Sequence, residues 1–374
     1  MSLVRFLPTL SDRMGISWTL LQIDGAIVLE YGPAGTSAYA KKNFTSFDST
    51  DQAKLITTGL SENELVMGDD TRLENKIREL DKVLSPKVIF VLASSVSSVI
   101  GYDVEGVCSY LQDEINAQLV VFPQGGFSGD FSSGLQIAYE KLVNELATEP
   151  QDTKNCYNIL GVSSFSSHAF GDVDKVEKTM KEHFDLSPHT VLCFETNLDK
   201  IATMGQAKIN IVLSYEGLKG AKLLKERFGT PYVYGFPISA KSTENFLEEI
   251  ATYIPRKTTA QTITSTKKAW KIAVYAPYDV LIGLKEYAQD TGLYIEFLLC
   301  NHSLRDVENP CEKVSFCKTE KEKIALFSSL KDTLVIGDGT FFSLLDDSNQ
   351  KFTLSVRDDN NPVKHLFINE NLFH

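Results

Sequence analysis

From about residue 80 onward the chain alternates between two hydrophobic patterns. Short continuous runs of apolar, often β-branched residues are followed by charged segments in which apolar residues recur every three or four positions. Val88–Leu92 and Ala117–Phe122 have the unbroken apolar character of strands covered on both faces. Ala138–Leu146 places apolar residues at 138, 142, 143 and 146, one face of a helix. The polar stretch 148–155 interrupts the pattern, which then restarts. Strands are predicted at 158–162, 190–194, 209–213 and 231–236. Helices are predicted at 173–184, with Asp172 as its cap, at 218–228, stopped by Gly229 with Pro231 beyond, and at 243–254. A Thr-rich stretch, 255–270, precedes a third block: strand 271–275, helix 280–289, strand 294–299, helix 320–330 and strand 334–336.

A helix between successive strands supplies the crossover that parallel neighbours need. The pattern therefore predicts an α/β fold of three Rossmann-like, doubly wound domains with mainly parallel sheets, over 1–150, 151–262 and 263–374. Ligands in such folds sit beyond the carboxyl ends of strands. That directs attention to 93–101, 163–168, 214–217 and 337–340.

Composition narrows the picture. The 374 residues are 43% hydrophobic and 23% charged, as in globular proteins, with a net charge of −12. No basic cluster suited to phosphate backbones stands out, which argues against nucleic acid; Lys267–Lys271 is short and reads as a solvated linker end. No apolar run approaches the roughly 20 residues of a membrane span, and Met1–Pro8 does not read as a signal peptide. Six scattered cysteines then point to reduced, mostly buried thiols in a cytoplasmic protein. The sequons at Asn43 and Asn301 carry no glycan in that setting.

Local chemistry is sparse. Cys300, His302, Cys311 and Cys317 lack the tight spacing of metal knuckles and read as buried or loop thiols. Ser94, Ser95, Ser97 and Ser98 do not form a nucleophile elbow, and His168 after Ser163–Ser167 reads as loop polarity. No Gly-x-Gly-x-x-Gly or Walker-type sequence is present.

Seven segments, in order, resemble the component 1 family of nitrogenase, which includes the molybdenum–iron protein subunits, their assembly scaffolds and the dark-operative protochlorophyllide reductase. Gly32-Pro-Ala-Gly-Thr36 is similar to the family's Gly-Pro-x-Gly-Cys turn, and Met67–Leu73 to its Gly-x-x-x-x-Leu segment. Ser95–Asp103, which contains Ile100-Gly101, resembles a loop that begins with Cys, and Gly126–Gly134 a Gly-Phe-x-Gly stretch. Asn158–Gly161, Asn210–Tyr215 and Phe228–Tyr232 complete the series. Beyond about residue 232 only the strand–helix rhythm matches, and the chain is shorter than most family members.

The departures are as informative. The resemblance places family cluster cysteines at Ser17, Thr36 and Ser95, and the cysteine that anchors the molybdenum cofactor at Ser214. Neutral hydroxyls do not replace thiolates as iron ligands. The protochlorophyllide reductase uses one aspartate ligand, so Asp12, with Glu30 nearby, is a weak oxygen-donor candidate for a cluster shared with a partner subunit. No metal site of the chain's own is assigned. The cleft candidates carried over are Gly32, Pro33, Gly35, Thr36, Ser95, Gly101, Ser214 and Tyr215.

The resemblance implies a subunit of a nitrogenase-like oxidoreductase complex. A homologous component 1-type subunit would be its partner, in a homo- or hetero-oligomer, and an ATP-dependent iron–sulfur reductase would feed the assembly electrons. The alternative is a non-redox scaffold or binding module for a small molecule, a tetrapyrrole or a metallocofactor precursor. The chain's own catalysis is left open.

Overall fold

The computed structural model describes residues 10–38, 54–67, 71–163, 169–194, 196–257, 271–302, 311–317, 319–337, 339, 341–354 and 366–367. The chain forms two compact units: an N-terminal unit of residues 9–150 and 190–205, and a C-terminal unit that includes 151–189 and 206–374. The predicted segment around His168, the centre of the Met67–Leu73 match and most of the Thr-rich stretch lie outside the described residues.

In chain order the strands of the N-terminal unit begin with β1 (Ile23–Asp24), β2 (Ile27–Tyr31), β3 (Lys54–Thr57), β4 (Val88–Ala93) and β5 (Gln118–Phe122). The sheet order is β3-β2-β4-β5, all parallel. Every residue of β2 and β4 is buried, as expected where helices cover both faces. Helix Thr71–Leu84 turns Leu73, Ile77 and Leu80 inward, a four-then-three spacing that covers one face of the sheet. Helix Asp12–Leu20 is buried over its whole length. It lies hard against helix Phe131–Leu146, and two glycines permit this. A Cβ on Gly15 would lie 2.3 Å from the Phe131 carbonyl oxygen, and one on Gly134 would lie 2.1 Å from that of Asp12.

The numbering continues with β6 (Cys156–Leu160) and β7 (Ser187–Leu192), in which the chain re-enters the N-terminal unit. There β8 (Thr196–Asn197) pairs with β1. Next come β9 (Ile209–Val212), β10 (Tyr232–Tyr234), β11 (Lys271–Ala276), β12 (Tyr294–Cys300), β13 (Val314–Phe316), β14 (Leu334–Gly337) and β15 (Gln350–Thr353). The C-terminal unit holds two sheets, ordered β10-β9-β6-β7 and β13-β12-β11-β14-β15. The architecture is the expected α/β one, with several parallel sheets and Rossmann-like crossovers.

Several element ends differ from the sequence expectation. The helix expected from residue 173 starts at Ala169, so Asp172 lies inside its first turn rather than at its cap. The helix expected from 243 starts at Ala240, because Ser239 and Ser242 form a reciprocal capping box. The helix expected from 138 begins at Phe131, where the Asp130 side chain accepts a 3.1 Å hydrogen bond from Ser133 N–H.

Each of the three larger sheets has a point where the chain's progression reverses: between β2 and β4, between β6 and β9, and between β11 and β14. These switch points are where loops diverge and ligand crevices form in doubly wound folds.

Candidate functional site

At the N-terminal unit's switch point, β2 runs into Gly32 and β4 into Ser94. A Cβ on Gly32 would meet the Ser94 Cβ at 2.4 Å, so the two turns touch. The Ser94 N–H donates to the Tyr31 carbonyl, and Ser94 Oγ caps helix Ser95–Val99 by accepting from Ser97 N–H. The carried-over candidates Gly32, Pro33, Gly35, Thr36 and Ser95 thus gather at one end of one sheet. Gly101, at φ +70°, closes the loop that follows.

The residue beneath this turn is Glu30, inside β2 and fully buried. Arg13, on helix Asp12–Leu20, donates to Glu30 Oε2 at 3.0 Å and is itself buried. Thr36 Oγ1 lies 2.6 Å from Glu30 Oε1 and 2.8 Å from the Pro33 carbonyl oxygen. Asp12 is also fully buried; its two oxygens accept from Arg13 N–H at 2.9 Å and Ser128 N–H at 3.0 Å. The helix that carries Ser17 and the turn that carries Thr36 are therefore tied together by a buried ion pair and its hydrogen bonds.

This donor set does not fit an iron–sulfur cluster. Such clusters are held by thiolates, and their soft iron takes neutral hydroxyls poorly. Thr36 is engaged with Glu30, Ser17 Oγ is buried without a hydrogen-bond partner among the described residues, and a guanidinium stands where anionic donors would be needed. Among the described residues no three His, Cys, Asp or Glu side chains converge as a metal-binding group.

The C-terminal unit presents a second constellation, built from two switch points. Ser214 and Tyr215 follow β9. A Cβ on Gly161, which follows β6 at φ +79°, would lie 2.7 Å from Ser214 Oγ and 2.8 Å from Ser214 N, so only glycine lets the loops touch. Asp279 follows β11. Its Oδ2 accepts from Tyr215 N–H at 3.0 Å, and its Oδ1 accepts from the Tyr234 hydroxyl. His302 follows β12 and stacks on Tyr215, with ring centroids 5.4 Å apart and planes 13° apart. Its Nε2 lies 3.2 Å from the Tyr278 N–H, and its Nδ1 lies 3.2 Å from Tyr215 Oη.

The electrostatics of this second site follow from burial. Burial, with the Glu216 carboxylate beside it, pushes the Asp279 carboxyl up to about 7. Burial and the Asp279 carboxylate push the Tyr234 phenol well above its ordinary range. An acid that titrates near neutrality, held by a phenol and a backbone N–H, can take up and release a proton.

Of the carried-over residues, Ser214 and Tyr215 lie at this second site and the other six lie in the N-terminal unit. The sequence pattern does not reveal Arg13 as Glu30's partner, nor Asp279, Tyr234 and Glu216 as members of a site. His302 stands out in the sequence only for its neighbouring cysteines, whereas the structure sets it against Tyr215 and Tyr278. One signal is visible in the sequence: a lone acid inside an apolar strand, as in Ala26-Ile-Val-Leu-Glu-Tyr31, needs a buried partner.

The chain is similar to known proteins over most of its length. Residues 11–344 match the family model described as nitrogenase component 1 type oxidoreductase. The nitrogenase iron-molybdenum cofactor biosynthesis protein NifE of Clostridium pasteurianum is 27% identical over 241 residues, covering 63% of this chain and 52% of that protein. NifN of a Nostoc strain is 24% identical, covering 64% and 58%. The nitrogenase iron-iron protein beta chain of Rhodobacter capsulatus is 22% identical over 325 residues, covering 76% and 70%. The chain thus spans little more than half the length of the NifE and NifN relatives. A solved structure titled "Nitrogenase Cp1 at pH 6.5" superimposes with a TM-score of 0.75 at 13% identity, over 99% of this chain and 91% of that one.

Proposed function

The chain belongs to the nitrogenase component 1 type oxidoreductase family, and from that premise we propose that it is a component 1-type subunit that ligates no iron–sulfur cluster of its own. One observation carries this reading: the Arg13–Glu30–Thr36 network occupies the turn where the family pattern calls for a thiolate. The subunit pairs with a homologous component 1-type chain, and any cluster in the assembly is held by that partner. Its own contribution is a scaffold, with the Ser214–Tyr215–Asp279 site facing a small molecule, a tetrapyrrole or a metallocofactor precursor. The relatives named as cofactor biosynthesis proteins support the scaffold role.

A second reading keeps the assembly as an oxidoreductase, fed by an ATP-dependent iron–sulfur reductase. The match to an oxidoreductase family and to an iron-iron protein beta chain favours it. Among the described residues no helix is long and apolar enough to cross a membrane.

Anaerobic purification of the chain, alone and with any co-purifying partner, tests both. Iron, acid-labile sulfide and the visible spectrum are measured on each sample. The isolated chain is expected to be colourless and iron-free; a brown, iron-bearing isolated chain would overturn the proposal. Bleaching of a coloured complex by an ATP-dependent iron–sulfur reductase would favour the redox reading over the scaffold.

A further inference from the structure

We propose that Cys311 and Lys285 form a modification site at which a peroxide closes a reversible sulfur–nitrogen cross-link between helix Tyr278–Thr291 and the turn that leads into β13.

Two nucleophilic side chains from separate elements converge there. Lys285 Nζ donates to Cys311 Sγ at 3.1 Å. Among the described residues Lys285 makes no ion pair, so its ammonium is committed to sulfur rather than to a carboxylate. The backbone on either side of the sulfur is anchored. Cys311 N–H donates to Tyr278 Oη at 3.1 Å, and the Cys311 carbonyl accepts from Val314 N–H at 2.9 Å. The Lys313 N–H also donates to the sulfur. Sulfur and nitrogen are thus held close enough to bond without a large movement of either element.

The surroundings set Cys311 apart from the other thiols. Burial pushes up Cys108, Cys156, Cys193 and Cys317. Burial acts on Cys311 too, but the hydrogen bonds from Lys285 and Lys313 outweigh it and bring the thiol below its ordinary value. Cys311 is also only half-buried, whereas Cys108, Cys156, Cys193 and Cys300 are buried. A partly exposed cysteine with thiolate character is the one that a small peroxide oxidises first.

The chemistry balances with one peroxide. The Cys311 thiolate attacks a peroxide oxygen and the O–O bond breaks, giving a sulfenic acid and hydroxide; the sulfur is oxidised by two electrons and the peroxide is reduced. The hydroxide takes a proton from the Lys285 ammonium and leaves as water. The free amine then attacks the sulfenic sulfur; the N–S bond forms, the S–O bond breaks and a second water leaves. A thiol reductant reverses the link: its thiolate attacks the sulfur and releases the amine, and a second thiol frees Cys311. While closed, the link fixes the helix whose first turn carries Asp279 to the turn before β13.

Peptide mass mapping of the full chain, treated with hydrogen peroxide and digested without reductant, tests this. The peptides that carry Lys285 and Cys311 are expected to appear joined, at a mass about 2 Da below their sum, and to separate with dithiothreitol. Lys285→Arg keeps a cation beside the sulfur but offers no free amine, so the joined pair is expected to vanish while Cys311 is still oxidised. Lys285→Met removes the cation, and alkylation of Cys311 by iodoacetamide at pH 7 is expected to slow by roughly tenfold. An unlinked, oxygen-bearing Cys311 in the wild-type chain would overturn the proposal. So would a disulfide to Cys300, which lies in the buried cluster that Cys311 packs against. Equal alkylation rates in the wild-type and Lys285→Met chains would overturn it as well.

Discussion

The two switch-point sites solve the same problem differently. Each buries a carboxylate beneath a turn that follows a parallel strand. In the N-terminal unit Glu30 is met by a full opposite charge from Arg13 and by the Thr36 hydroxyl. In the C-terminal unit Asp279 is met by a backbone N–H and a phenol, with a second carboxylate, Glu216, nearby. The first carboxylate is locked in an ion pair with Arg13. The second is held by dipoles, and burial pushes it up to about 7. A locked pair suits a structural joint, and a titratable acid at a strand end suits a site that changes state when something binds.

The largest expected effect comes from breaking the locked pair. Arg13→Met leaves Glu30 buried without its cation, and breaking a buried pair from one side costs about 3–5 kcal/mol. The double variant Arg13→Met/Glu30→Leu removes both charges and should recover most of that loss. Urea midpoints of the three proteins measure it. If the single variant is as stable as wild type, the pair is not the joint described here. If the double variant is no better than the single, packing rather than charge carries the contact.

The next effect is a pH dependence. Asp279 titrates in the fold at about 7, against 3.8 for an ordinary aspartyl carboxyl. The folded state therefore holds a proton that the unfolded chain releases between those values. The associated stability is complete below about pH 4 and is lost as the pH rises through 7, on the order of a few kcal/mol in all. Asp279→Asn cannot titrate. Relative to that variant, the wild-type protein should lose stability between about pH 4 and pH 7. Stability curves that run parallel across that range would remove the titratable acid from the comparison.

How much of the molecule is visible in its sequence follows from the range of the interactions involved. The alternation after residue 80 is local, and it places β4, β5, β9 and β11 to within a residue or two. It does not show the capping box at Ser239, because the apolar period of that helix begins only after its first turn. It does not show β2, the strand beside the switch point, because Glu30 breaks an otherwise apolar run; only Arg13, seventeen residues earlier, explains how that charge is buried. The Gly-Pro turn and Ser214–Tyr215 are legible through resemblance. Asp279 is not: its partners lie 64 and 45 residues away, and no local pattern encodes such a pairing.

The smallest effect separates the two carboxylates most directly, because it removes one neutral hydroxyl from each. Thr36→Val takes a donor from Glu30, and Tyr234→Phe takes one from Asp279; hydrogen bonds to charged groups contribute about 1.5–3 kcal/mol each. For Thr36→Val the loss should fall at the low end of that range, because Arg13 still holds Glu30 and Val keeps the shape of Thr. For Tyr234→Phe the consequence is different in kind. The phenol is one of the groups that hold the Asp279 carboxyl down against burial, so its removal should drive that carboxyl higher still. The pH at which stability is lost would then move upward, and at about pH 5, where Asp279 is protonated, little should change. A Tyr234→Phe protein whose deficit is the same at pH 5 and pH 8 would make Asp279 another locked carboxylate, and the contrast between the two units would disappear.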